Sequence, residues 1–218
     1  IPERAQTLRV IMCELARIAS HLVWLGTHAL DIGAMTVFLY CWREREMVLD
    51  LNEEISGVRM MTSYIRIGGV AKDATRPWLD GIRNFIDYFP AKVDEYEKLL
   101  TNNPIWIDRT QGVGEMSRED AINWSMSGPA LRASGVKWDI RKSQPYSGYE
   151  KYNFDIPTRT NGDIYDRYRV RIEEMRQSRE IVKQAIEKLP TGDFKAPDNK
   201  VSLPPRDTLH TSMEALIH

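Results

Sequence analysis

One stretch constrains this chain more than any other: Glu14 to Asp31, ELARIASHLVWLGTHALD. At about 100° per residue in an α-helix, Glu14, Arg17, His21, Trp24, His28 and Asp31 gather in a stripe roughly 100° wide. The other faces carry Leu15, Ala16, Ile18, Ala19, Leu22, Val23, Leu25 and Ala29, which predicts a helix buried on nearly all sides. Isolated charge in such surroundings is costly. The stripe therefore either pairs with polar groups from other elements or lines a cavity, and periodicity alone weighs the two evenly. His21 and Asp31 lie ten residues apart, roughly 15 Å along the axis, too far to bond, so each needs a partner from elsewhere. The simple reading of His21 is a core hydrogen bond to backbone or to Glu14 and Arg17. That of Asp31, beside Gly33, is a helix-end cap or a salt bridge.

Charge and cysteines narrow the class. Thirty basic residues stand against 31 acidic ones in 218, without the basic excess of a nucleic-acid binder. Cys13 and Cys41 lie in apolar helical patterns and read as reduced thiols. Two so far apart cannot by themselves hold zinc or an iron–sulfur cluster. From Ile18 to Trp42 the only formal charge is Asp31, but Asp31-Ile32-Gly33 is expected to break this run into two helices of a soluble core. No signal or lipidation motif is visible. The start at Ile1 and the end within SMEALIH suggest an internal piece of something longer. GxGxxG, Walker, GxSxG, HExxH and paired CxxC motifs are absent from these 218 residues, so no nucleotide or hydrolase site is placed here.

The expected organisation is one mainly α domain over 1–218. Core helices occupy about 3–101: one to about Leu30, one from Met35 to Ile55, and one from Pro77 to Leu100 that Pro90 should kink or split. SYIRIGGVAKD reads as a short extended stretch turning at Gly68-Gly69. Short helices and ordered loops fill 102–162. PIWIDRTQGVG is read there as a brief strand and turn, and Ser117 with Asp120 as a helix cap. The segment 127–157 reads as an aromatic-rich ordered loop. Asp163 opens a long helix over 163–189 whose arginine-rich side is read as solvated surface. A linker (190–206) and a terminal helix (207–218) follow.

Several long motifs appear in order: IPERAQTLRVIMCELARIASHLVWLGTHALDIGAMT, SYIRIGGV, LRASGVKWDIRKSQPYSGYEKYNFDIP and RIEEMRQSREIVKQAIEKLP. Together they resemble the D subunit of respiratory complex I, the hydrogenase-like large subunit of the proton-pumping NADH:quinone oxidoreductase. The resemblance covers essentially the whole chain. It implies the helical core of the hydrogenase large subunits, with a few short strands. It implies a place in the peripheral arm at the membrane, on the cytoplasmic face of a bacterial inner membrane or the matrix face in mitochondria. The implied partners are other members of complex I, in particular its B and C subunits and the H subunit of the membrane arm. The substrate would be quinone (ubiquinone or another). NADH would be oxidised elsewhere in the complex, and the terminal [4Fe–4S] cluster would be held by the B subunit, with no metal ligand from this chain.

By position, Asp31 matches the family's acidic residue in the quinone chamber, which pairs with a histidine upstream of Ile1. Thr27 matches a cavity-lining residue and His21 a histidine of the same helix, and the resemblance implies that both, with Asp31, bind quinone. The resemblance thus selects the cavity reading of the stripe, with Asp31 as its working residue. Met61 stands where many members carry a histidine beside the terminal cluster. Two other readings compete: a [NiFe]-hydrogenase-type large subunit, whose CxxC pairs would lie near the termini of a longer chain, and a non-catalytic scaffold for subunit docking.

Overall fold

The computed structural model describes residues 1–217, and its architecture is mainly α. Helices α1 (Glu3–Ile32) and α2 (Met35–Ser56) form a hairpin, and α3 (Arg76–Leu100) and α8 (Ile164–Glu187) complete the core. Between α3 and α8 run four short helices: α4 (Pro104–Thr110), α5 (Arg118–Asn123), α6 (Gly128–Ala133) and α7 (Ile140–Ser143). Strands β1 (Ile65–Arg66) and β2 (Gly69–Val70) pair antiparallel, and α9 (Met213–Ile217) closes the described chain. Helix α1 is the axis, packing against both α2 and α8, while α3 bridges α2 and α8. Its side chains Leu8, Ile11, Leu15, Ile18, Leu22 and Leu25 anchor one continuous apolar core. No described helix is long and apolar enough to cross a membrane.

Helix α1 ends where the sequence says it must. Gly33 adopts φ +106°, and its N–H returns to Ala29 O and Leu30 O, a left-handed cap that costs glycine nothing. The expectation of burial on nearly all sides is corrected. Ala16, Ser20, Thr27 and Leu30 are exposed, and their spacing of three to four residues, with partly exposed Val23 between, makes one open face.

Helix α3 runs unbroken through Pro90. Proline removes the N–H that Ile86 O would accept. The carbonyl is satisfied instead by Arg179 Nε of α8, at 2.8 Å. A lost intrahelical bond has become an interhelical one.

Three further expectations are corrected. PIWIDRT is helix α4, not a strand: Asn103 Oδ1 accepts from Ile105 N and Trp106 N, with Pro104 in the first turn. That capping chemistry outweighs the β-leaning Ile-Trp-Ile run. The arginine side of α8 is engaged rather than solvated. Arg169 pairs with Glu97 at 2.7 Å, Arg176 with Asp94 at 2.8 Å, and Arg132 reaches Glu174 from α6. The terminal segment divides into a 3₁₀ turn (Arg206–His210) and the short α9, the expected helix's last residue, His218, lying outside the described residues. Segment 127–157 is ordered but contains α6, α7 and a 3₁₀ turn at Tyr149–Lys151. The linker 190–206 is tied to the β1–β2 pair through a bridge between Gly69 and Lys195. Ser117 Oγ accepts from Asp120 N, and Asp163 caps α8 from Asp166 N, both as predicted.

Candidate functional site

The polar stripe of α1 divides into a buried half and an open half. At the buried end, Glu14 is wholly enclosed. Its carboxylate accepts from Tyr149 Oη (2.6 Å), from Arg141 Nη1 (3.0 and 3.1 Å) and from Arg17 Nε (3.2 Å). Arg141 also donates Nη2 to Asp139 Oδ2 at 2.7 Å. Asp139 lies 4.0 Å from Arg132 Nη1. Arg132 donates Nε to Glu174 Oε1 at 2.7 Å, and the other oxygen of Glu174 meets His21 Nε2 at 2.7 Å. The string therefore leaves α1 at Glu14, passes through α7, α6 and α8, and returns to α1 at His21, two turns on.

Signs alternate along this string, which is what lets charge be buried at all. Burial holds the His21 imidazole below its ordinary range, outweighing the carboxylate beside it. Burial alone would raise Glu174, but the His21 hydrogen bond and the Arg132 charge hold it below the usual carboxylate range. An ionised carboxylate can only accept. His21 is therefore neutral at pH 7, with its proton on Nε2, donating to Glu174.

Beyond His21 the stripe becomes aromatic. Arg171 lies 4.1 Å from the Trp24 ring centroid, and Trp24 stacks on His28 at 4.8 Å. His28 meets Trp106 of α4 edge to face at 5.6 Å. Burial pushes Arg171 down to about 10, with Arg167 and Arg132 acting in the same sense and Glu174 against them; it stays cationic at neutral pH. Burial, then Arg171, lowers His28, against the opposing pull of Asp31. His28 is thus a neutral imidazole between a cation and an anion.

The open half is different. Thr27 is exposed, with its hydroxyl turned back to Val23 O (2.8 Å) and Trp24 O (3.2 Å). One turn later Asp31 is exposed too, and its carboxylate makes no hydrogen bond or ion pair among the described residues. The simple reading of Asp31 as a cap or salt bridge does not hold. The end of α1 is closed without it, by Gly33 and by Arg109, whose Nη1 donates to Ile32 O at 2.7 Å. A recess of about 300 Å³ opens alongside, lined by Ile32, Ala34, Ile105, Trp106 and Arg109 among others.

Met61 is 84% exposed, in the segment joining α2 to β1. That segment doubles back along α2: Arg59 pairs with Asp50 at 2.9 Å, and Met60 Sδ accepts from Arg45 Nη2 at 3.7 Å. Arg45 lies over the Trp42 ring, and Trp42 packs on Gly26 of α1, where a Cβ would meet its ring at 3.0 Å. Thr27 and Asp31 therefore share one open edge, the Met60–Met61 turn is brought back toward the level of Gly26, and His21 lies in the buried string. Sequence reasoning missed Glu174, Arg132, Arg141 and Arg45. The motifs LRASGVKWDIRK and RIEEMRQ contain the first three, but no periodicity links them to α1. No group of three or more His, Cys, Asp or Glu suited to a metal ion occurs among the described residues, and Cys13 and Cys41 are free thiols.

Comparison with known proteins places the chain in a family. Residues 31–218 match the model of the respiratory-chain NADH dehydrogenase 49 kDa subunit. The D 1 subunit of NADH-quinone oxidoreductase from Solibacter usitatus is 57% identical over 217 residues, covering all of this chain and 53% of the relative. The corresponding D 2 subunit of Koribacter versatilis is 55% identical and the D subunit of Geobacter sulfurreducens 52%, with 54% and 56% of those chains covered. The chain thus spans about half the length of the curated relatives it matches. On the family match and this level of identity, the chain belongs to the family of the 49 kDa subunit of respiratory-chain NADH dehydrogenase.

Proposed function

We propose that this chain forms one wall of the quinone-reduction chamber of a proton-translocating NADH:quinone oxidoreductase. One observation carries the reading: Asp31 ends a largely buried helix with its carboxylate exposed and, among the described residues, unpaired. Here α1 uses neither oxygen for its own cap, so the group is free for quinone or for a residue supplied by more polypeptide. Thr27 lines the same edge. His21 acts from behind it as a neutral imidazole fixed by Glu174, so it positions the wall rather than touching quinone directly. NADH is oxidised elsewhere in the complex. Electrons arrive from a [4Fe–4S] cluster held by the B subunit, against which the exposed Met61 segment lies. The C and H subunits complete the surroundings in the peripheral arm at the membrane. As quinone takes up electrons, negative charge grows beside Asp31. The carboxylate then changes partner or protonation, and this biases the signal passed to the membrane pumps.

The family match favours this over a [NiFe]-hydrogenase reading. The test is Asp31→Asn in the intact complex. Quinone reduction is expected to fall while NADH oxidation by artificial acceptors continues. Equal loss of both would indicate failed assembly, and full retention of quinone reduction would leave a docking scaffold as the better description.

A further inference from the structure

A second recess, larger than the one beside α4, lies away from α1's open end. It measures about 540 Å³ and sits between the β1–β2 hairpin and the strap 195–203. The strap is held by Val70 N to Phe194 O (3.0 Å) and Ala196 N to Gly68 O (2.9 Å). These bonds make the groove a built feature, and the backbone approach at Gly69 leaves no room for a Cβ, which would meet Lys195 Cα at 2.8 Å.

Its lining has a definite chemistry. Arg66, Lys195 and Lys200 line it, and among the described residues no acidic one does. Lys195 Nζ is turned to Leu203 O. The exposed side chains of Arg66 and Lys200 make no hydrogen bond or ion pair among the described residues. Between the cations stand Ile67 (84% exposed), Val201 and Leu203 (77% exposed). Ser202, also in the lining, is 3% exposed, and its hydroxyl is buried with no partner among the described residues, a state proteins rarely leave unanswered.

We propose that this groove docks an acidic segment of a neighbouring subunit, one that presents carboxylates to Arg66 and Lys200 and an apolar side chain between Ile67 and Leu203. An unopposed cationic recess favours carboxylates, the orphaned hydroxyl supplies a donor for one of them or for a backbone carbonyl, and the apolar rim supplies burial on association. A concave floor suits an inserted side chain better than the broad face of a lipid surface. The neighbour is chosen as the source because Met60, Met61, Ile65 and Ile67 form an exposed apolar run that leads from the groove to the segment placed against the B subunit. In that one respect the inference rests on the proposed function.

The test is zero-length carbodiimide coupling, which joins an amine only to a carboxylate in contact, applied to the intact complex and mapped by mass spectrometry. Lys200 is expected to be joined to an Asp or Glu of another subunit. The double reversal Arg66→Glu, Lys200→Glu is expected to abolish that product and to lower the fraction of assembled complex roughly tenfold, with quinone reduction per assembled complex unchanged. Failure of the Asp31→Asn test would leave this coupling product intact, so the two readings fail separately. The inference is overturned if Lys200 couples only within its own subunit, or if it is acetylated as freely in the complex as in the dissociated subunit. It is equally overturned if its protection is removed by stripping phospholipid without any coupling to protein.

Discussion

Glu174 is the residue on which the buried string turns, and its removal is the sharpest test of the charge arrangement. One carboxylate, 1% exposed, serves two partners: Oε1 takes Arg132 Nε at 2.7 Å and Oε2 takes His21 Nε2 at 2.7 Å. After Glu174→Ala, Arg132 keeps only Trp138 O at 3.1 Å and a distant Asp139 at 4.0 Å, while enclosed on every side. Breaking a buried pair from one end costs about 3–5 kcal/mol, because the surviving charge is stranded. Glu174→Gln keeps the volume but turns an amide N–H₂ toward one donor, so about 2–3 kcal/mol is expected. The double variant Glu174→Met, Arg132→Met removes both charges at similar volume and should return to within about 1 kcal/mol of the parent. Equilibrium urea unfolding of the full-length subunit measures all three. The reasoning is refuted if Glu174→Ala costs less than about 1 kcal/mol, or if Glu174→Ala and Arg132→Ala simply add, since contacting residues of one network should couple by about 0.5–3 kcal/mol.

Three further outcomes are expected. Arg179→Ala strands Ile86 O and should cost about 1–3 kcal/mol, whereas in a Pro90→Ala background, where the helix N–H is restored, the same change should cost markedly less; equal costs would remove Arg179 from that role. Acidification should weaken the fold before any carboxylate titrates: the folded His21 imidazole sits below its ordinary value, so its contribution is complete above about pH 6.5 and is lost as pH falls below it, with a limiting slope of about 1.4 kcal/mol per pH unit. His21→Gln should remove that part of the slope in urea unfolding between pH 7 and 5. Finally, if Met61 lies beside the B subunit's cluster as proposed, a methionine that cannot titrate leaves the cluster potential nearly independent of pH in a redox titration of the intact complex, and Met61→His should introduce a slope near neutrality; a steep slope in the parent would refute the assignment.

The helical frame was legible because its signals are local. The stop at Gly33, the caps at Ser117 and Asp163 and the apolar spacing of α3 each depend on residues within a turn or two. Helix α4 carries two opposed local signals, and its Asn103-Pro104 cap outweighs the β-leaning Ile105, Trp106 and Ile107. The site was legible only in part. The stripe on α1 announced that polar groups would meet it, yet its partners come from positions 132, 139, 141, 149 and 174, and pairing across such separations has no period to detect. For the same reason the arginines of α8 looked like solvent-facing charge: a helix alone does not say that Glu97 or Ile86 O will lie opposite. Asp31 is the reverse case: its position beside Gly33 offers a local cap or salt bridge, and the structure uses neither among the described residues.

The string's return to its starting helix has a mechanical meaning. Glu14 and His21 pin the first two-thirds of α1 against rotation and sliding, because either motion would pull two anchor points two turns apart in the same direction. From Gly26 onward the ties among the described residues are lighter: ring contact of His28 with Trp106 and one bond from Arg109 to Ile32 O. A beam held firmly at one end and lightly at the other yields first at its lighter end, and on α1 that end carries Asp31.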